Sequence, residues 1–297
     1  MPASRHIRAT HYFDLATALH LASAAELIYA DPGIVERTAI GAWDYAHFRF
    51  MDVDTSQCFV AADAQTILVC FRGTEGNCVE DWIANVGLDL IGGPLEGRVH
   101  KGFYDALSCI WHLLDREIER LQSTGKRKLW VTGHSLGAAL ATLAAARWCE
   151  AGRPVAGLYT FGQPRTGDQT FARNFDFLFR PHVFRIVNDL DVVTRVPPRV
   201  LGYQHLGTFI YFTDSGSLSD DIDWWRRFLN GWHGTVEKVL DWGREGIEDH
   251  RMVHYRQKLL EALRGHGGGH DAGGEQTVRL PRAAPIAEPI KPRRRAA

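Results

Sequence analysis

Residues Lys128 to Trp148 read KLWVTGHSLGAALATLAAARW, and their order decides the fold. The apolar run Leu129-Trp130-Val131 meets the pentapeptide Gly133-His134-Ser135-Leu136-Gly137, and an Ala/Leu-rich segment follows. A short buried strand, a tight turn and a helix are predicted in that order. Serine on such a turn is held in a strained backbone conformation, and the glycines two residues to either side remove Cβ atoms that would clash there. The turn lifts Oγ clear of the sheet. The helix N-terminus behind it offers free N–H groups and a positive dipole end to developing negative charge. Ser135 is therefore the candidate nucleophile. A capping serine in a glycine-rich turn is the alternative, and the strand before and helix after argue against it.

Outward from this turn, strands and helices alternate. Asp14 to Ala30 has near-helical apolar spacing and ends at Asp31-Pro32-Gly33. Gln57 to Ala62 and Thr66 to Phe71 are apolar runs joined by Asp63-Ala64-Gln65, a predicted hairpin. Phe103 to Leu121 places Phe103, Leu107, Ile110, Trp111, Leu114, Ile118 and Leu121 on one stripe, an amphipathic helix. Strands are predicted at Val155 to Phe161 and His182 to Val187, with a helix between them. This alternation implies an α/β fold with a mostly parallel sheet covered on both faces.

The chain has 297 residues, 45% of them hydrophobic, enough for a sizeable core in one domain. Its formal net charge of -1 argues against a nucleic-acid surface on the folded body. No apolar run approaches the roughly 18 to 20 residues a membrane-spanning helix needs. Asp14, His20 and Glu26 interrupt what would be the apolar core of a secretory signal. The five cysteines are an odd number set mostly in apolar runs and read as reduced, so a cytoplasmic setting is expected.

A serine hydroxyl needs a general base, and the base an orienting carboxylate; in sheets of this kind they follow the serine in the order acid, then histidine. Asp191, just past an apolar strand, lies where strand carboxyl ends build sites. Asp189 competes with it, and Asp168 is a weaker rival that a helix cap explains. Among the later histidines, His250 leads, standing at the mouth of the last helix that Met252, Leu259, Leu260 and Leu263 anchor. His254, one turn later, is second, and His233 is an outside candidate. His205, entering a strand-like run, suits a structural hydrogen bond. The spacing of His250 and His254 lacks the glutamate of H-E-x-x-H, and no metal or cofactor is expected. One oxyanion donor should be the N–H of Leu136, and the other should come from the loop after Val69-Cys70-Phe71.

Several motifs together carry a resemblance. Phe71-Arg72-Gly73-Thr74, Asp81-Trp82, Val99-His100-Lys101-Gly102-Phe103, Gly133-His134-Ser135-Leu136-Gly137, Phe161-Gly162-Gln163-Pro164-Arg165, Asp191 before Val196-Pro197-Pro198, and Asp249-His250 with Tyr255 resemble the class 3 (fungal-type) lipases. The similarity runs in order from about residue 15 to residue 262. It implies an α/β-hydrolase with Ser135 as nucleophile, Asp191 as acid and His250 as base, and Thr74 as the second oxyanion donor beside Leu136. It also implies a mobile lid after the oxyanion loop. Residues 75–97 hold Val79, Trp82, Ile83 and Val86 and end in Gly92-Gly93-Pro94. Such a segment fits a flap that opens on lipid or an ordinary helix packed on the core.

The expected activity is hydrolysis of lipid esters, with a lipid or small ester as substrate and lipid-interface contact possible in principle. Phospholipase A1 or short-chain carboxylesterase activity would use the same triad, and a catalytically silent binding module of the same fold is the reading from another class. The absence of the disulfides usual in secreted fungal members adds to the cytoplasmic expectation. The catalytic domain is expected over residues 1–264. Within it, residues 219–248 carry Trp224, Trp225, Trp232 and Trp242, suited to an acyl site, a lipid interface, core packing or a dimer contact. Residues 265–297, rich in Gly, Pro and Arg, are expected to be a disordered, solvated tail.

Overall fold

A computed structural model describes residues 13–74, 78–85, 87–212, 218–219 and 243–267. The first helix, α1 (Leu15–Leu27), starts where the Asp14 side chain accepts the Thr17 amide at 2.8 Å. A short helix, α2 (Pro32–Arg37), precedes an antiparallel run of β1 (His47–Val53), β2 (Ser56–Ala62) and β3 (Thr66–Phe71). The hairpin of β2 and β3 falls where the apolar runs place it. The sequence reading passed over β1, an edge strand that buries only Met51 among its residues.

The helix α3 (Val79–Asn85) and the short strands β4 (Leu90–Gly92) and β5 (Arg98–His100) follow. The long helix α4 (Lys101–Ser123) buries the predicted stripe from Phe103 to Leu121 except Trp111, which sits at its edge and is only partly buried. Next come β6 (Lys128–His134), α5 (Leu136–Glu150), β7 (Gly157–Phe161), β8 (Gly167–Asp168), α6 (Gln169–Phe179) and β9 (Val183–Asn188). The chain continues through β10 (Tyr203–Gln204), β11 (Thr208–Phe212) and β12 (Leu218–Ser219) to α7 (Gly243–Glu248) and α8 (Met252–Gly267). Helix α8 thus runs to Gly267, three residues into the stretch expected to be tail. Residues 268–297 lie outside the described residues, as do 220–242, which hold the four tryptophans singled out above.

Among the described residues one sheet has the order β1-β2-β3-β6-β7-β9-β11-β12, and a second, small sheet the order β10-β8-β5-β4. In the large sheet β3, β6, β7, β9 and β11 are parallel. Helices α4, α5 and α6 cover one face, where Leu107, Leu140, Trp148 and Phe175 are buried. Helices α1 and α8 cover the other, where Leu21, Ile28, Tyr255 and Leu259 are buried. This is the α/β-hydrolase arrangement expected from the sequence, and burial of both faces explains why the parallel strands read as unbroken apolar runs.

Parallel pairing gathers the strand ends that matter. Phe71 at the end of β3 pairs with Gly133, and His134 at the end of β6 pairs with Phe161. Phe161 in turn pairs with Ile186 of β9. The loops that follow β3, β6, β7 and β9 therefore emerge side by side at one edge, the usual place for a site in such a sheet.

Candidate active site

The turn at Ser135 is as tight as its glycines require. Ser135 has φ 58° and ψ -130°, in the positive-φ region that L-residues avoid. A Cβ on Gly133 would lie 2.3 Å from the carbonyl oxygen of Gly137, and one on Gly137 would lie 2.3 Å from that of Phe71. Helix and strand meet too closely for any side chain at either position. The Ser135 amide is used by the sheet, donating to the Phe161 carbonyl at 3.0 Å. The Leu136 amide opens the first turn of α5, where intrahelical partners are lacking. Thr74, Gly73 and Leu136 share the wall of a cleft of about 320 Å³.

Asp191 follows β9 and caps a 3₁₀ turn over Val192–Arg195, its Oδ1 accepting the Val193 amide at 2.9 Å. The same carboxylate lies 2.8 Å (Oδ2) and 3.0 Å (Oδ1) from His250 Nδ1. It also accepts the Tyr255 hydroxyl at 2.5 Å. Asp191 is wholly buried, and burial alone would raise its pKa. The His250 imidazole and the hydrogen bonds from His250 and Tyr255 outweigh this and hold the carboxyl below its ordinary value. Burial, then the nearby Asp191 charge, push the Tyr255 phenol well above its ordinary value, so it remains a donor.

The rivals fall elsewhere. Asp189, at φ 35°, accepts the Tyr211 hydroxyl at 3.2 Å. Asp168 caps α6 by accepting the Phe171 amide at 2.8 Å. His254 Nε2 is 3.0 Å from Glu248, whereas His250 turns inward to Asp191, so the two imidazoles go to different carboxylates. His205 meets the Thr194 carbonyl at 2.8 Å, the structural bond expected of it. His233 lies outside the described residues. Among the described residues no group of three His, Cys, Asp or Glu side chains could hold a metal ion.

Two polar atoms here have no hydrogen-bond partner, Ser135 Oγ and His250 Nε2, and both are buried. Val79 and Ile83 of α3 pack against Val192, Val193 and Val196, with Ile247 of α7 alongside, and Val79 lines one cleft with His250. Trp82 stacks on Phe103, ring centroids 6.0 Å apart. Val86 lies outside the described residues. A larger cleft of about 640 Å³ reaches His250, lined also by Tyr29, Arg72, Thr74, Val79 and His134.

Gly162, at φ 57°, follows β7 directly beneath the pair. A Cβ there would come within 2.7 Å of Asp191 Oδ2 and 2.8 Å of His250 Cε1 and Nδ1. Gly162→Ala is expected to lower kcat on the order of 100-fold by displacing this pair, since a misplacement near 1 Å costs about that much. Steady-state kinetics checks it, and an unchanged kcat would mean that the two side chains are free to shift.

Sequence reasoning did not assign roles to Tyr255 and His134. Tyr255 shares an apolar stripe of α8 with Met252 and Leu259, and a buried phenol needs a partner for its hydroxyl, which was the signal available. His134 closes β6 on the same face as Trp130, toward α1 and α8, as the two-residue period of a strand dictates.

Residues 68–201 match the family Lipase (class 3). A secreted mono- and diacylglycerol lipase of Fusarium solani is 37% identical over 213 residues, 68% of this chain and 60% of that protein. A lipase of Rhizomucor miehei is 33% identical over 170 residues, 54% of this chain and 46% of that protein. The chain thus spans about half to three-fifths of the length of these curated relatives. Among solved structures, the triacylglyceride lipase of Rhizomucor miehei superposes with a TM-score of 0.54 at 26% identity, covering 67% of this chain and 80% of that one. A triacylglycerol lipase whose catalytic centre is a serine protease triad superposes with a TM-score of 0.54 at 27% identity, covering 68% and 81%. The chain belongs to the class 3 lipase family.

The relatives also correct the expected cytoplasmic setting. The Fusarium solani protein and a Malassezia globosa protein 33% identical over 172 residues are secreted lipases, which points to an extracellular setting. The cysteine argument failed for a physical reason. Cys58 and Cys70 lie wholly buried in β2 and β3, and a cysteine packed as a small apolar side chain says little about the redox state around the protein.

Proposed function

We propose that this protein is a carboxylic ester hydrolase that acts on lipid esters by two-step acyl transfer to water. Ser135 is the nucleophile, His250 the general base and Asp191 the acid that orients it. His250 Nε2 takes the hydroxyl proton as Oγ attacks the ester carbonyl, and the amides of Leu136 and Thr74 bind the oxyanion. The imidazolium then protonates the leaving alcohol and, once neutral again, activates water against the acyl-enzyme. Asp191 holds the Nδ1 proton in place and favours the cation. The observation that carries this reading is a buried carboxylate bound to His250 Nδ1 while Ser135 Oγ and His250 Nε2, both buried, are each left without a hydrogen-bond partner. These are the two atoms between which the first proton must pass.

Ser135 and Asp191 are wholly buried and His250 is 2% exposed, so an ester reaches them only if a cover moves. Helix α3, resting on Val192, Val193 and Val196, is that cover, and its apolar underside would be exposed at a lipid surface. The catalytic unit is assigned to residues 1–264. The relatives that are mono- and diacylglycerol or triacylglycerol lipases support glycerides as substrates.

A panel of emulsified tri-, di- and monoacylglycerols, phospholipid and short soluble esters tests this reading. Glyceride hydrolysis that rises sharply as substrate passes its solubility limit is the expected result. Release of fatty acid from phospholipid alone would make the protein a phospholipase. Hydrolysis confined to dissolved short esters, with no rise at the limit, would make it an esterase and remove the role given to α3.

A further inference from the structure

His134 stands beside the candidate nucleophile, yet no step of acyl transfer uses its imidazole. Contacts to Tyr29, His250 and Tyr255 hold that ring. Nδ1 is 3.0 Å from the Tyr29 hydroxyl, and Nε2 is 2.6 Å from the backbone carbonyl of His250. The ring itself lies against the His250 ring, centroids 4.4 Å apart and planes inclined by 31°. A carbonyl can only accept, so Nε2 carries the proton and donates it; Nδ1 then holds a lone pair and accepts from Tyr29. This assignment needs a neutral imidazole. Burial, then the adjacent His250, push its pKa from 6.5 down to about 3.

The carbonyl that His134 takes belongs to the short turn between α7 and α8. There the amides of His250, Arg251 and His254 donate to the carbonyls of Ile247, Glu248 and Arg251. Glu248 and Arg251 lie at the surface, and Asp249 is anchored through its carbonyl by Asn188 Nδ2 at 2.8 Å. The turn is thus held before His250, and His250 itself, beyond the turn's own bonds, is held through His134 and Asp191. Asp191 fixes one atom of the imidazole, and a ring held at one atom can still pivot. A second fixed point on the same residue removes that freedom.

We infer that Tyr29 and His134 are positioning residues, a relay from the end of α1 through the end of β6 that pins the His250 backbone and keeps Nε2 aimed at Ser135. The inference rests on the acyl-transfer reading above. Neutrality of His134 is part of the device, because a second imidazolium stacked on His250 would oppose the cation that catalysis forms. Asp191, Tyr255 and Tyr29 touch the pair directly, a carboxylate and two phenols, and Glu26, Glu248, Arg72 and Arg251 line the same cleft.

Three variants test it in the full-length protein. His134→Leu removes both hydrogen bonds, His134→Gln keeps an N–H near the position of Nε2, and Tyr29→Phe removes one oxygen. Each is read by kcat and KM, by fluorophosphonate labelling of Ser135 and by thermal unfolding. His134→Leu should lower kcat on the order of 100-fold with little change in KM. His134→Gln should recover most of the loss, and Tyr29→Phe should fall between them.

Wild-type kcat in His134→Leu, or a Gln variant no better than Leu at equal thermal stability, would overturn the inference. If His134→Leu does not fold, Tyr29→Phe decides, and wild-type kcat there is the overturning result. Failure of the underlying reading looks different: the wild-type protein would resist fluorophosphonate, or Ser135→Ala would stay active, whatever His134 does.

Discussion

Ser135→Ala is expected to reduce hydrolysis of p-nitrophenyl esters on the order of 10⁴-fold or more, while thermal unfolding stays close to that of the wild-type protein. Both halves follow from the geometry. The hydroxyl has no hydrogen-bond partner, so its removal leaves no buried donor or acceptor stranded. Alanine carries the same Cβ into the same positive φ of 58°, so the backbone strain is unchanged. Nothing else in the vicinity replaces the lost nucleophile. Thr74 is a candidate oxyanion donor, and without Oγ the donors have no tetrahedral intermediate to bind. Fluorophosphonate should label the wild-type chain at Ser135 and leave the variant unlabelled. Full hydrolysis in a well-folded variant would remove the serine mechanism, and a wild-type chain that resists the probe would favour a silent module of the same fold.

The nucleophile turn was legible in the sequence because its chemistry is local. Five consecutive residues, two of them glycines that no side chain can replace, specify the turn wherever the flanking strand and helix form. The candidate acid was less so, since Asp189 and Asp191 stand two residues apart on the same loop and differ only in what they face. The loop geometry turns them to different partners. Asp191 turns inward to cap a 3₁₀ turn and meets His250, whereas Asp189 adopts a positive φ and reaches Tyr211. No sequence pattern encodes that difference.

The helix stripes of α4 and the apolar runs of the parallel strands were equally plain, because burial sets their period. Strand β1 and the small sheet were not. A half-exposed edge strand buries too little to show an apolar pattern, and two- or three-residue strands have no period at all. The polar contacts behind the base, Tyr255 to Asp191 and Tyr29 through His134 to His250, join residues 64, 105 and 116 positions apart in sequence. Each residue type signalled that a partner was needed, and only the fold says which.

Asp191→Asn is expected to cost about 10⁴-fold in kcat, and Asp189→Asn only a few-fold. The amide has nearly the shape of the carboxylate, so packing survives, but its Nδ2 donates where Oδ2 accepted. Facing Nδ1 at 2.8 Å, it selects the imidazole tautomer with the proton on Nε2. That tautomer points a proton at Ser135 Oγ instead of a lone pair, and the base can no longer accept. The cation formed during attack also loses its counter-charge. At Asp189 the carboxylate accepts from Tyr211, which an amide oxygen can do as well, and it has no contact with His250 to lose. Asp191 also contributes to stability in the sense set by its lowered pKa. That contribution is full above the ordinary carboxylate value of 3.8 and fades as the pH falls below it. The acid arm of a stability profile should therefore shrink in Asp191→Asn. Kinetics of the two variants on one soluble ester rank them, and a larger loss at Asp189 would transfer the acid's role to that residue.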